Sequence, residues 1–264
     1  MTPSAYAANE SVHRGRHICL PFETVTEKES AVRSFIHEGL ARGKRCLFVG
    51  SREDYEKLAV DLEAEGICAR RAEARGALVF RTPEEQYLDR GAFDPETVLA
   101  RLERAIEEAL AAGFAGLCAT GELMRVPSDD VWRLIVRYEA EINECFARLP
   151  FVALCRYPRT VVPPHRVQDV LRTHPVAVVR GEPCDNPFYE RPQLALSDDP
   201  QSRVDWQLRQ MRVQHRAQRR LQDKTASAVT AAVELATELE TLRSTLTTTP
   251  TPTPPPRSGD PGRS

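Results

Sequence analysis

Residues 116–125 read GLCATGELMR, a run of apolar and small residues that leads to Thr120, Gly121 and the carboxylate of Glu122. Such a run is typical of a buried parallel strand that brings a side chain to the carboxyl edge of an α/β sheet. Nucleotide enzymes keep metal-binding or water-activating carboxylates at this edge. If Glu122 is such a residue, an earlier strand should be followed by a phosphate-binding loop.

Apolar runs of strand length alternate with helical patterns along the first two thirds of the chain. The runs cover 17–22, 45–50, 76–80, 116–120, 151–157 and 175–179, and the helical patterns cover 27–42, 53–65, 94–113 and 129–149. Strands that are apolar throughout and that alternate with helices predict an α/β fold, a mainly parallel sheet with helices on both faces.

Two of the helical patterns carry further detail. Asp94 is placed to cap the third helix, with Pro95 in its first turn and Gly113 at its end. In the fourth helix one face holds Trp132, Ile135, Val136, Glu139 and Ile142.

No glycine-rich phosphate loop follows the first strand. Residues 23–30 read ETVTEKES, where Glu27 and Glu29 flank Lys28 and no glycine occurs. A phosphate cradle needs backbone amides that glycines leave accessible, followed by Lys and Ser or Thr at a helix start. The sequence therefore predicts the layout of a nucleotide-binding protein without its phosphate grip.

The sequence changes character after Pro192. Residues 198–246 predict one or two long helices, in which Leu235, Leu239, Leu242 and Leu246 keep a 4-3-4 spacing. The middle of this segment keeps the spacing poorly, so we expect a weak coiled coil that joins two copies of the chain. Residues 1–15 are polar, and 247–264 are rich in Pro and Thr, so both are expected to be disordered. The α/β domain is expected to span 16–192.

Composition narrows the classes of protein. The 264 residues carry a net charge of −2, which disfavours nucleic acid as a direct partner, and we interpret the basic stretch 203–224 as a solvated helix face. No apolar run approaches the roughly 20 residues that span a bilayer, and the start does not resemble a signal peptide. We expect a cytoplasmic protein, without a membrane contact, whose seven cysteines are thiols.

Eight short motifs resemble, in this order, a known sensory family. They are HIC (17–19), EGLARGKRCLFVG (38–50), YLDRGAFDPE (87–96), GLCATGELMR (116–125), YEAEIN (138–143), LCRY (154–157), LRTHP (171–175) and NPFY (186–189). Together they are similar to the MEDS domain, the methanogen/methylotroph DcmR sensory domain.

The resemblance implies a degenerate RecA/KaiC-like core that has lost its ATPase machinery. It also implies a sensory role beside transcription regulators and histidine kinases, in one case linked to a dichloromethane response. It names no cofactor and no ligand. The chain departs from the family pattern at Leu20-Pro21-Phe22, at Leu123-Met124-Arg125 and at Pro158.

The candidate ligand-binding residues follow from strand ends and from the motifs. Glu122, Arg125 and Tyr157 come directly after carboxyl ends of strands, so we expect them side by side in the ligand site. His17 opens its strand and is expected at the opposite end of the sheet, and His174 is a second candidate ligand contact. Cys19 and Cys155 lie within matched motifs.

Each of these residues also has a structural interpretation. Glu122 is then a rim carboxylate paired with a cation, and the histidines are hydrogen-bonded at strand ends. The strand cysteines, which include Cys46 and Cys118, either pack as small hydrophobes or form a soft patch for a metal, an electrophile or redox chemistry.

The sequence supports one principal function and two alternatives. The principal hypothesis is a non-catalytic sensor whose α/β domain binds a small molecule or partner. Its C-terminal helices would dimerise and relay the signal to a regulator or kinase. The alternatives are a divergent nucleotide hydrolase that uses Glu122, and a module that only binds other proteins.

Overall fold

The computed structural model describes residues 16–122, 128–145, 147 and 149–247. Its strands are β1 (Arg16–Phe22), β2 (Arg45–Val49), β3 (Leu78–Arg81), β4 (Leu88–Asp89), β5 (Ala92–Phe93), β6 (Leu117–Glu122), β7 (Phe151–Pro158), β8 (Val176–Val179) and β9 (Glu182–Asp185). Its helices are α1 (Val25–Ala41), α2 (Arg52–Ala64), α3 (Ala69–Ala74), α4 (Pro83–Tyr87), α5 (Pro95–Ala111), α6 (Asp129–Cys145), α7 (Pro164–Thr173), α8 (Pro192–Ala195) and α9 (Pro200–Thr247). Every apolar run that the sequence assigned to a strand forms one.

Seven strands form one sheet in the order β3-β2-β6-β7-β1-β8-β9. Every neighbouring pair is parallel except β8 and β9, which are antiparallel. This confirms the predicted α/β fold with a mainly parallel sheet. β1 lies between β7 and β8, so side chains from β1 and β7 stand next to each other in the middle of the sheet.

The strands that the sequence did not predict belong to tight hairpins. β8 turns into β9 through Arg180 and Gly181, and β4 turns into β5 through Arg90 and Gly91. All four turn residues have positive φ, between 49° and 84°. A two-residue turn between antiparallel strands requires this backbone, which Asn-Gly usually supplies, so Arg-Gly gave no recognisable hairpin signal.

Capping residues fix the starts of the helices that follow strands. Thr24 and Glu27 form a capping box at the start of α1, where the Thr24 side chain accepts from the Glu27 amide and the Glu27 carboxylate accepts from the Thr24 amide. The side chain of Asp94 accepts from the amide of Thr97 at the start of α5, as predicted.

Helices cover both faces of the sheet, as the sequence predicted. One hydrophobic cluster joins Ile18 and Leu20 of β1 to α1, α2 and α3. A second cluster joins the other face of the sheet to α5, α6 and α7. Because side chains alternate along a strand, His17 and Cys19 point toward this second face.

The C-terminal segment is a single helix, α9, where the sequence predicted one or two. The chain divides into two compact units, one that ends at Arg203 and one that begins at Val204. Within the second unit the apolar side chains of α9 are exposed; Leu221, Val229, Val233, Leu235, Leu239 and Leu242 are each 57–66 % exposed. Among the described residues, no helix combines the length and apolar character needed to cross a bilayer. The predicted tail 1–15 lies outside the described residues, and so does the predicted tail 247–264 except for Thr247, which is the last residue of α9.

Candidate functional site

A cluster of four chemistry-bearing side chains lies between the sheet and the helices α6 and α7. We call His17, Glu139, Cys155 and His174 the polar cluster. One donor atom of each lies within 4.8 Å of the corresponding atoms of the other three. His17 Nε2 is 2.9 Å from Glu139 Oε2 and 3.2 Å from Cys155 Sγ. His174 Nε2 is 3.6 Å and Cys155 Sγ is 3.9 Å from the same Glu139 Oε2.

The strand register brings His17 and Cys155 together. His17 pairs with Ala153 and Cys19 pairs with Cys155 across the parallel strands β1 and β7. Since residues two apart in a strand share a face, the side chains of His17 and Cys155 point to the same side of the sheet. This geometry requires no unusual backbone.

The two helices supply the other members of the cluster. Glu139 belongs to the buried face of α6, whose neighbours on that face include Trp132, Ile135 and Ile142. His174 is the C-cap of α7 and is completely buried. A carboxylate in the middle of an apolar helix face is costly unless it has partners, and its partners here are the cluster and Tyr157.

Backbone and amide contacts hold His174 in place. Its Nδ1 lies 2.8 Å from the carbonyl oxygen of Val170. The Asn186 side chain donates to the carbonyls of His174 and Leu171, at 2.7 Å and 2.6 Å. The Asn143 side chain donates to the carbonyl of the preceding residue, Thr173. The histidine is therefore fixed on both sides of its backbone.

Burial and neighbouring charge set the protonation states in the cluster. Burial disfavours the Glu139 carboxylate, but hydrogen bonding and charge from His17, with smaller contributions from His174 and Tyr157, hold the pKa of Glu139 below its ordinary value. Burial and the charge of His17 lower the pKa of His174 to about 3. Burial and the nearby Glu139 charge raise the pKa of the Cys155 thiol well above its ordinary value. At neutral pH the cluster therefore contains a carboxylate, a neutral His174 imidazole and a thiol.

A small cavity of about 20 Å³ adjoins the cluster, with room for about one water molecule. Cys155 and Glu139 line it on one side, and aromatic rings line much of the rest: Tyr87, Phe93, Tyr138 and Tyr157. Gly121 also lines the cavity. The Tyr87 hydroxyl lies so close to Gly121 that a Cβ at this position would overlap it. The polar cluster thus adjoins a space with mostly apolar walls.

Glu122 lies on the other face of the sheet, in an ion-pair network. Its Oε2 is 3.4 Å from Arg156 Nη1 and 3.7 Å from Lys28 Nζ. Lys28 is held in addition by both oxygens of Asp54, each at 3.0 Å. Arg156 is 1 % exposed; it donates to the carbonyl of Val49, and its guanidinium lies over the Phe48 ring. Glu122 is thus a partner of two largely buried cations.

Tyr157 does not lie beside Glu122 as the sequence suggested. Glu122 pairs with Arg156 in the register of β6 and β7, and the next residue, Tyr157, points to the opposite face. Its hydroxyl donates to Glu139 Oε1 at 2.6 Å. The end of a strand sets the edge of the sheet at which a residue lies, but the position along the strand sets its face, and this separates Tyr157 from Glu122. Arg125, the third residue of that expected group, lies outside the described residues.

The four strand cysteines also separate by face. Cys46 and Cys118 pair across β2 and β6 beneath α1, and both pack in the first hydrophobic cluster. Cys155 belongs to the polar cluster. Cys19 lies beside it, fully buried, and its thiol donates to the carbonyl of Val176 at 3.6 Å. A single patch of four thiols is therefore ruled out by the sheet geometry.

Several residues of the polar cluster, of the contacts that support it and of the Glu122 ion-pair network were not identified from the sequence as site residues. They are Glu139, Asn143, Asp54, Arg156 and Asn186. Glu139 did carry a signal, because it occupies a position in the apolar stripe of its helix, where a charge needs a partner. Arg156 is adjacent to two candidates, and only the structure reveals that its side chain is the largest fully buried one among the described residues.

Most motifs that carried the family resemblance converge on the polar cluster. They contribute His17 from HIC, Glu139 and Asn143 from YEAEIN, Cys155 and Tyr157 from LCRY, His174 from LRTHP and Asn186 from NPFY. A search of curated proteins found none that matches the chain. A family model, "MEthanogen/methylotroph, DcmR Sensory domain", matches residues 16–175. The chain belongs to this sensory domain family, MEDS.

Proposed function

We propose that residues 16–192 are a non-catalytic sensory module whose signal binds at the polar cluster and its adjoining cavity. The observation that carries this proposal is the cluster itself: a carboxylate, two imidazoles and a thiol gathered inside an otherwise apolar layer. Burying such groups costs stability unless they are paired, so a fold that needs only a core does not gain from them. Membership in a sensory family supports the same assignment.

We propose that α9 transmits the signal by pairing with α9 of a second copy. Positions 221, 225, 228, 232, 235, 239 and 242 follow a 4-3 spacing and hold Leu, Thr, Ala, Ala, Leu, Leu and Leu. All of them are exposed in the single chain. Side chains at a 4-3 spacing are buried when two identical helices pair along them, which favours a parallel two-stranded coiled coil. The receiver of the signal would be a transcription regulator or a kinase.

A nucleotide hydrolase is the weaker candidate. Lys28 and Glu122 do meet at the carboxyl edge of the sheet, where a phosphate site would lie. However, Lys28 is already neutralised by Asp54 and Glu122. The two carboxylates offset the positive potential of the Lys28 ammonium, so little attraction remains for a polyphosphate.

Transcript profiles of the organism that encodes the chain test the sensory proposal. Deletion of the gene should change the levels of a set of transcripts. A chromosomal Cys155→Ser variant, present at the wild-type protein level, should reproduce that change, whereas a variant of the exposed Cys184, Cys184→Ser, should match the wild type. If deletion changes no transcript, the sensory assignment is wrong. If deletion changes transcripts but Cys155→Ser leaves them at wild-type levels, the signal binds elsewhere.

A further inference from the structure

Two hydrogen-bond acceptors face each other inside the polar cluster. A carbonyl oxygen can only accept, so the 2.8 Å contact with Val170 requires that His174 Nδ1 carries the proton. The Nε2 of a neutral His174 then presents a lone pair to the Glu139 carboxylate at 3.6 Å. This nitrogen is buried and has no hydrogen-bond partner among the described residues. A lone pair beside a carboxylate oxygen is repulsive unless a cation lies between them.

The spacing of the donor atoms fits a tetrahedral metal ion. Zinc bonds of about 2.0 Å to nitrogen or oxygen and about 2.3 Å to sulfur place neighbouring ligand atoms about 3.3–3.6 Å apart. Four of the separations within the cluster are 2.9, 3.2, 3.6 and 3.9 Å, and none exceeds 4.8 Å. They scatter around the tetrahedral values, so small side-chain movements would complete the coordination.

We infer that His17 Nε2, Glu139 Oε2, Cys155 Sγ and His174 Nε2 bind a single divalent metal ion of the zinc class. Two imidazoles, a thiolate and a carboxylate match the ligand types that zinc takes in proteins. The hard cations Mg²⁺ and Ca²⁺ prefer oxygen ligands in larger number. The cluster supplies a single carboxylate, so it selects against them.

The ion balances the charges of the site. Its two positive charges offset the Glu139 carboxylate and the thiolate of Cys155, which leaves a neutral site in a buried layer. Binding replaces the S–H bond of Cys155 with an S–metal bond and releases that proton to water. His17 binds as the neutral tautomer with its proton on Nδ1, so a proton on its Nε2 moves to Nδ1 or is released to water as well. Because the thiol must lose its proton to bind the ion, metal affinity should increase with pH.

The surrounding residues form a second shell suited to such a site. The carbonyl of Val170 accepts from the Nδ1–H of His174, and Tyr157 donates to Oε1 of Glu139, the oxygen that does not bind the ion. Partners of this kind orient metal ligands and tune their affinity. A role of the bound ion in signalling rests on the proposed function. Binding of the ion can be measured without that assumption.

The test measures metal binding by the full chain stripped with a chelator and dialysed. Titration of the wild type with ZnSO₄ should give one ion per chain. Loss of a second-shell partner lowers metal affinity by up to about 100-fold, so loss of a ligand in Cys155→Ser or in His174→Gln should lower it by at least that factor. Mg²⁺ should give no binding. With CoSO₄ the wild type should show tetrahedral ligand-field bands and a thiolate-to-cobalt absorption that Cys155→Ser loses.

The exposed cysteines provide the matched control. Cys68, Cys145 and Cys184 lie at the surface and offer thiols of the same chemistry outside the cluster. Replacing all three with serine should leave both the stoichiometry and the cobalt spectrum unchanged. If that variant loses the metal, or if Cys155→Ser keeps wild-type affinity, the site is elsewhere and the inference fails.

The remaining outcomes are also decisive. If His174→Gln does not fold, as judged by circular dichroism, the cobalt spectrum of the wild type and the conservative Cys155→Ser variant still decide. A wild type that binds no zinc and no cobalt overturns the metal site but leaves the sensory proposal to the transcript profiles. Metal binding together with unchanged transcripts after gene deletion overturns the sensory proposal alone.

Discussion

The hydroxyl of Tyr157 donates a 2.6 Å hydrogen bond to Glu139 Oε1, the oxygen that points away from the two histidines of the polar cluster. This contact fixes the carboxylate so that Oε2 faces His17 and His174. The alternation of side chains along β7 places Tyr157 on this face, under a helix and not in the rim crevice. Tyr157 is therefore a positioning residue for the cluster.

Tyr157→Phe tests this role without removing a ligand. The ring stays in place while the hydrogen bond to Glu139 is lost, so zinc affinity should fall about 10- to 100-fold at unchanged stoichiometry. Isothermal titration measures the affinity, and a melting curve of the metal-free protein shows that the fold is kept. Tyr189→Phe, in the loop after β9, is the control and should keep full affinity. Equal affinities in the two variants would show that Tyr157 does not position Glu139.

Glu122→Gln should destabilise the protein. The substitution leaves the guanidinium of Arg156, which is 1 % exposed, without its carboxylate. Breaking a buried pair by removal of one partner costs about 3 kcal/mol, so the free energy of unfolding should fall by about that amount. Urea unfolding measures it. Glu23→Gln, which removes a surface partner of Arg159, should change stability by less than about 0.5 kcal/mol. A similarly small effect for Glu122→Gln would show that the carboxylate is solvated and does not stabilise Arg156.

MgATP should neither bind in the micromolar range nor be hydrolysed. The chain lacks a glycine loop after β1, and Lys28 is paired with Asp54 at 3.0 Å. Isothermal titration and a phosphate-release assay measure the two activities. Saturable binding that is lost in Lys28→Ala would instead support the hydrolase alternative.

Removal of the residues after Arg203 should convert a dimer into a monomer. Arg203 is retained because it is 3.4 Å from Glu190 and donates to the carbonyl of Ser197. Light scattering measures the mass, and circular dichroism should show that the α/β unit remains folded. In the full chain, replacement of Leu235, Leu239 and Leu242 with glutamine should have the same effect on mass. A full-length protein that is already a monomer would remove the coiled-coil proposal.

The layered fold could be predicted from the sequence because its signals are local. Continuous apolar runs gave the six parallel strands, and Asp94 and Pro95 gave the start of α5. The hairpins were missed, since Arg90-Gly91 and Arg180-Gly181 adopt positive φ without the usual Asn. Pro183 in β9 also counted against a strand at this position, because proline has no backbone N–H to donate and is rare within sheets.

The site could be predicted only in part because it depends on which face a residue takes. The motifs identified His17, Cys155, Tyr157 and His174 as candidates, and the structure brings these four together. Tyr157 and Glu122 both follow strand ends and were therefore expected side by side, although the register of β6 and β7 separates them onto two faces. Only tertiary packing shows that Glu139, a helix residue, connects these candidates.

An anomalous diffraction measurement at the zinc absorption edge shows directly whether the polar cluster binds a metal ion. Crystals of the full chain grown with ZnSO₄ should show one strong peak between β1, β7, α6 and α7. We predict that it lies about 2.0–2.3 Å from His17 Nε2, Glu139 Oε2, Cys155 Sγ and His174 Nε2. Four well-ordered side chains with no peak among them would show that the polar cluster is not a zinc site.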